Sequence, residues 1–206
     1  TIFCANTYHH KKEYIDTGNK KYTTEIVNDI PFVFVKTTTA LGNGLDRIKN
    51  MILFYKNIIS VAKQYVKVND KPDIILASSV HPLTLVAGIQ IAKKFNVPCI
   101  CEIRDLWSEA SFAFNKAQEK SLVGRFLTAG EHWIYRKATA IIFTKEGDVD
   151  YIIEKKWDVN QGGDIDLEKC FYINNGVDLE QFRIDSTENV IKDDDLELES
   201  KFNVVY

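Results

Sequence analysis

Residues 97–109 read Val97-Pro98-Cys99-Ile100-Cys101-Glu102-Ile103-Arg104-Asp105-Leu106-Trp107-Ser108-Glu109. The first half, Val97–Cys101, is a short continuous apolar run of the kind a strand buried on both faces requires. The second half turns abruptly to charge at Glu102, Arg104 and Asp105, with Trp107 beside them. In an open α/β sheet such a strand lies in the core and its last residues enter the crevice where ligands bind. The fold therefore depends on whether other runs end beside this one.

They do. Further strand-like runs are Thr1–Ala5, Ile30–Lys36, Asp73–Ser78, Ala140–Thr144 and Lys169–Ile173. Helical patterns fall between them at Gly44–Val68, Pro82–Phe95, about Gln118–Lys137 and Glu146–Trp157. Alternation of short apolar runs with helical patterns predicts an α/β fold with a doubly wound, mostly parallel Rossmann-like sheet. Boundary residues agree. Ser78-Ser79 supplies capping hydroxyls, Pro82 suits a first helical turn, and Asn174-Asn175-Gly176 is a turn signal after a strand.

The 206 residues suffice for one sizeable core, and 45% apolar with 27% charged residues is ordinary for a globular protein. No apolar run reaches the length of a membrane span, and the strand-like opening Thr1-Ile2-Phe3-Cys4-Ala5, with no basic segment, leads one to expect no signal peptide. Cys4, Cys99, Cys101 and Cys170 sit in apolar runs without a C-x-x-C pair, so buried reduced thiols are expected and a metal site is not. The net charge of −3 is unevenly spread: Thr1–Lys145 carries 20 Lys/Arg against 12 Asp/Glu, and Glu146–Tyr206 carries 6 against 17. A basic first part suits an anionic partner such as a membrane surface or a phosphorylated substrate, or is simply a solvated face.

Domain limits follow from composition. Residues 1–184 are expected to form one Rossmann-like domain and 185–201 an acidic linker. Residues 202–206, Phe-Asn-Val-Val-Tyr, read as the start of a further, truncated domain. The opening on Thr1 suggests that a first element is missing. The long helix at Gly44–Val68 has two adjoining apolar stripes, one through Leu45, Ile48 and Ile52, the other through Met51, Phe54 and Ile58. Lys49, Lys56 and Lys63 edge it, so it can lie on an anionic membrane or be wedged between sheet and helix.

In such a sheet Ser79 and His81, then Glu102, Arg104 and Asp105, then Glu146 converge at one edge, with Asn175 in the turn that closes it. Hydroxyls, an imidazole, a guanidinium and carboxylates together suit an oxygen-rich ligand carrying phosphate. Arg104 could fork onto phosphate, and Asp105 could accept sugar hydroxyls or act as a base. A structural Arg104–Asp105 pair is the alternative. No dinucleotide fingerprint, P-loop, zinc-peptidase or nucleophile-elbow motif occurs.

Several ordered pieces, Lys71-Pro72-Asp73-Ile74-Ile75, Phe95-Asn96-Val97-Pro98, Glu102 to Trp107, Glu131 with Tyr135, Ala138-Thr139-Ala140-Ile141-Ile142 and Ile173 to Asp178, carry a resemblance. From about Leu45 to Phe182 the chain resembles the amino-terminal half of a family 4 glycosyltransferase of the GT-B type. Within it, the chain is most similar to the bacterial surface-polysaccharide branch of O-antigen and capsule fucosamine-type transferases. The resemblance implies a hexosyltransferase that moves a sugar from a nucleotide-sugar with retention at the anomeric carbon. This half would hold the acceptor, a lipid-linked or other glycan, and the other half the donor, with no cofactor, metal or nucleic acid involved. It implies a cytoplasmic protein seated peripherally at the inner face of the cell membrane, with Asp105 and Arg104 nearest the reaction centre. Many relatives have His-Asp where this chain has Arg104-Asp105, and Pro where it has Ser108. The first family strand with its Gly-rich loop, and the E-x7-E donor motif, are not in this chain, so it would be inactive alone. A sugar-nucleotide epimerase half and a non-catalytic domain that binds an anionic lipid or partner are the alternatives.

Overall fold

The computed structural model describes residues 1–8, 13–40, 44–113, 118–189 and 202. Cys99–Ile103 forms strand β5 of a four-stranded parallel sheet in the order β4-β5-β6-β7, with β4 at Ile75–Ser78, β6 at Ala140–Phe143 and β7 at Cys170–Tyr172. The register sets Ser78 beside Glu102 and Ile103 beside Phe143. Strand alternation turns Cys99, Cys101 and Ile103 into the core, with Glu102 on the other face. A second, three-stranded sheet has the order β1-β3-β2, with β1 at Ile2–Ala5, β2 at Tyr22–Val27 and β3 at Ile30–Val35. β1 runs parallel to β3, and β2 runs antiparallel to it.

The α/β architecture expected from the apolar runs is present, and β2 is the addition. Val27 pairs with Ile30 across Asn28 and Asp29, whose φ values are 50° and 62°. Two consecutive left-handed residues are what a tight two-residue hairpin turn needs, and Asn and Asp tolerate them best after glycine.

Helix α1 spans Leu45–Tyr65, α2 Pro82–Phe95, α3 Trp107–Ala113, α4 Leu122–Lys137 and α5 Asp150–Glu154. Each boundary has a local cause. Pro82 occupies the first turn of α2, and Asn96, left-handed at φ 52°, ends it. The Ser121 hydroxyl accepts the Gly124 N–H at 3.1 Å and starts α4. The helix expected over Glu146–Trp157 shrinks to α5 because Gly147 (φ 86°) and Lys156 (φ 57°) are left-handed on either side of it. Ser79 does not cap α2; its hydroxyl is used between strands instead.

Two hydrophobic clusters result. One gathers Cys101, Ile103, Ile134, Tyr135, Ile141, Phe143 and Ile152 under the four-stranded sheet. The other joins Val33 and Val35 to Phe54, Ile58, Val61 and Ala62 of α1. Helix α2 belongs to both, giving Leu85, Ile89 and Ala92 to the first and Ala87 and Ile91 to the second. Gly88 lets it press on the sheet: a Cβ there would lie 2.5 Å from Cβ of Ala77.

Thr1–Asn174 is one compact unit and Asn175–Tyr206 a second. In the second unit α6 covers Leu179–Glu188, and its start is capped by Asp178, whose carboxylate accepts the N–H groups of Glu180 and Gln181 at 3.0 Å. The expected acidic linker enters this helix at Asp185–Glu188; from residue 190 it lies outside the described residues, as does the expected strand apart from Phe202.

Candidate functional site

The carboxyl ends of β4, β5 and β6 meet along one edge of the parallel sheet, where ligands of such folds collect. Ser79 is 5% exposed and ties two of them together: its N–H donates to the Glu102 carbonyl and its hydroxyl accepts the Arg104 N–H, both at 3.0 Å. On the other side the Thr144 hydroxyl donates to the Arg104 carbonyl at 3.4 Å. The backbone of Arg104 is thus gripped from both neighbours, which presents Arg104 and Asp105 at the rim.

Asp105 pairs with Lys145, at 2.8 Å, and not with Arg104. The hydrogen bond to Asp105 raises the pKa of Lys145, opposed by burial. The Arg104 guanidinium is exposed and has no side-chain partner among the described residues. Glu146 is exposed and likewise makes no described side-chain contact, whereas Asp148 lies close enough to Lys145 and Asp105 to feel both charges. Burial raises the Asp148 pKa, Lys145 lowers it and Asp105 raises it. Glu102 faces away from the core and accepts a hydrogen bond from the Ser78 hydroxyl. Asn175 opens the second unit. Lys49, Lys56 and Lys63 stand seven residues apart on α1, all exposed, with Lys49 3.5 Å from Asp46.

Two hollows open at this edge. The first, of about 300 Å³, is lined by Cys4 and Ala5 at the end of β1, by Tyr8, by Arg47 and Asn50 of α1, and by Val80, His81 and Thr84. His81 is 9% exposed, stands edge-on to Phe54, and its Nδ1 is buried without a hydrogen-bond partner among the described residues. Burial, aided by the charge of Arg47, lowers its pKa to about 4. The imidazole is therefore neutral at pH 7, with polar capacity to spare for a ligand. The second hollow, of about 250 Å³, is lined by Ser79, Asp105, Trp107, Phe126, Glu131 and Trp133 among others. Met51 of α1 borders both.

Glu131 is buried, accepting from the Tyr151 hydroxyl at 2.8 Å and the Ser108 N–H at 3.5 Å. Burial raises its pKa, against the pull of those hydrogen bonds. It fastens α3 and α5 to α4, and its signal was positional: it sits on the apolar stripe between Leu127 and Tyr135. Arg47, Asn50 and Tyr8 had no such signal, since α1 and the segment after β1 are brought to β4 only by folding. Among the described residues no group of three His, Cys, Asp or Glu side chains is placed to hold a metal ion. No helix among them is long and apolar enough to cross a membrane.

Residues 53–161, a little over half of the chain, match the family model described as a glycosyl transferase 4-like domain. No curated protein matches the sequence. Among solved structures the fold is similar to sucrose-phosphate synthase from Thermosynechococcus elongatus, with a TM-score of 0.55 at 15% identity. That likeness covers 85% of this chain and 41% of the synthase, so the chain spans less than half of that neighbour's length.

Proposed function

Since the chain belongs to the glycosyl transferase 4-like domain family, we propose that its first unit holds the acceptor in sugar transfer from a nucleotide-sugar. The reaction is read as retaining and of hexosyltransferase type. The acceptor is a lipid-linked glycan of cell-surface polysaccharide synthesis, of the O-antigen or capsule kind, met at the inner membrane face. The nucleotide-sugar is bound mainly by a partner domain, without a metal or other cofactor.

One observation carries this reading: a hollow that holds Arg47, Asn50 and neutral His81 among apolar walls adjoins an apolar hollow rimmed by Asp105. Arg47 supplies positive charge for an acceptor phosphate, and His81 and Asn50 offer hydrogen bonds to sugar hydroxyls. Asp105, steadied by Lys145, accepts a hydroxyl at the rim. The apolar hollow suits the lipid end of the acceptor.

The test is a transfer assay on the full-length protein with a panel of nucleotide-sugars and a lipid-diphosphate sugar acceptor. Asp105→Ala is expected to lower kcat/KM by about 100-fold with an unchanged melting temperature, because the side chain is exposed. Wild-type rates in that variant would remove Asp105 from the site.

A further inference from the structure

Aspartates in this chain take the amides that follow them. Asp16, Asp158, Asp166 and Asp178 each accept the N–H two residues on, at 2.7–3.0 Å, and Asp178 also accepts the one three residues on. Asp105 stands at the same spacing from Trp107 and Ser108, the first residues of α3. Its carboxylate nevertheless accepts from Lys145, at 2.8 Å, and from no amide among the described residues. The α3 amides go to another helix instead. Glu131 of α4 accepts the Ser108 N–H at 3.5 Å, and the Trp107 N–H and the Ser108 hydroxyl also favour its charged form. We propose that Glu131 is a positioning residue for Asp105: by capping α3 from outside, it leaves the Asp105 carboxylate at the rim, where on the acceptor reading above it meets the sugar hydroxyl.

The first turn of a helix carries amides that have no partner within it. Leu106, just before α3, has no side-chain acceptor to offer them. Asp105 and Glu131 are therefore the rivals, since Glu109 in the same turn is engaged with Lys155 at 3.0 Å. Glu131 is 7% exposed, whereas the Asp105 side chain is 65% exposed. A buried carboxylate is costly unless both oxygens are filled. Here one oxygen faces the α3 amide and the other accepts the Tyr151 hydroxyl at 2.8 Å. Hydrogen bonds made away from water are the stronger ones, so the buried rival holds the amides.

The backbone around Asp105 is then pinned on both sides. Upstream, Ser79 accepts the Arg104 N–H and Thr144 donates to the Arg104 carbonyl. Downstream, Glu131 holds the start of α3, and Leu106 packs against the first hydrophobic cluster. Without an acceptor at position 131, the amide of Ser108, a residue only 2% exposed, would be buried unpaired. Asp105 is placed by sequence to take it. That move draws the carboxylate away from Lys145 and from the hollow it rims.

Glu131→Gln and Glu131→Met fill the same space and differ in the acceptor oxygen, so the pair, made in the full-length protein, tests the proposal. Asp105→Ala should leave the urea midpoint unchanged in the wild type and in Glu131→Gln. It should lower the midpoint in Glu131→Met, where Asp105 has become the cap of α3. The same effect of Asp105→Ala in every background overturns the proposal. If Glu131→Met does not fold, amide hydrogen exchange decides. Trp107 and Ser108 should exchange at most about twofold faster in Asp105→Ala than in the wild type. A rise of about tenfold or more would assign the cap to Asp105 and overturn the proposal. In transfer assays Glu131→Met should lower kcat/KM by about 100-fold. Adding Asp105→Ala should lower it no further, and Glu131→Gln should recover most of the loss. Additive losses, or a Gln variant as slow as the Met variant, overturn the proposal. Wild-type transfer by Asp105→Ala would end the acceptor reading and leave the stability and exchange results standing, so the two fail separately.

Discussion

An imidazole packed against Phe54 and set near the Arg47 guanidinium is penalised twice for taking a proton, by desolvation first and by charge second. The folded-state pKa of His81 falls from the ordinary 6.5 to about 4. Its stabilising contribution is therefore complete above pH 6.5 and is lost as the pH falls toward 4, because the unfolded chain takes the proton first. The size is on the order of 3 kcal/mol. Glu131 works in the opposite sense: its raised pKa favours the folded state as the pH falls. Substituting His81→Gln isolates the first effect. Urea unfolding at pH 7 and pH 4.5 should show a larger loss for the wild type than for the variant. Parallel losses would mean that His81 does not titrate as its surroundings require. Its place at a strand end was legible in the chain. Its burial was not, because Phe54 and Arg47 come from a helix some thirty residues away.

Among the elements, α2 depends most on one small side chain. Alanine at position 88 would gain about 1 kcal/mol of helix propensity. Its Cβ would also lie 2.5 Å from that of Ala77, in a wall that also includes Ile75 and Cys99. Overpacking costs about 1–3 kcal/mol, so it outweighs propensity, and Gly88→Ala should lower the urea midpoint; a raised midpoint would show that the sheet can yield. Helix α1 has a different character. Its apolar residues beyond the first turns, Phe54, Ile58, Val61 and Ala62, are buried, whereas Leu45, Ile48 and Ile52 near its start are exposed beside Lys49. An apolar strip edged by lysines suits an anionic bilayer. Charge reversal at Lys49, Lys56 and Lys63 should abolish co-sedimentation of the full-length protein with anionic vesicles, and unchanged binding would sink the membrane reading. The two stripes of α1 were visible in sequence, but which end of them the sheet would cover was not. The β2 strand has no continuous apolar run in the sequence, because Thr23, Thr24 and Glu25 interrupt it, although Asn28-Asp29 marks its turn.

For the molecule as a whole, two clusters share α2, so neither can loosen without disturbing the other. Trp133 and Trp157 pack against the first cluster, while far-UV circular dichroism reports the helices and strands of both. Unfolding of the chain in urea should give coincident transitions by tryptophan fluorescence and by circular dichroism. Separated transitions would mean that α2 does not couple the two clusters. The α/β class, the central strand and its charged end follow from the chain alone. A strand buried on both faces must be continuously apolar, and its exit to solvent must be polar, so local composition suffices. Which charges meet at that exit does not follow from local composition. Asp105 finds Lys145 and leaves Arg104 exposed, and Arg47 finds His81, because strand order and helix packing set distances between residues that the sequence keeps far apart.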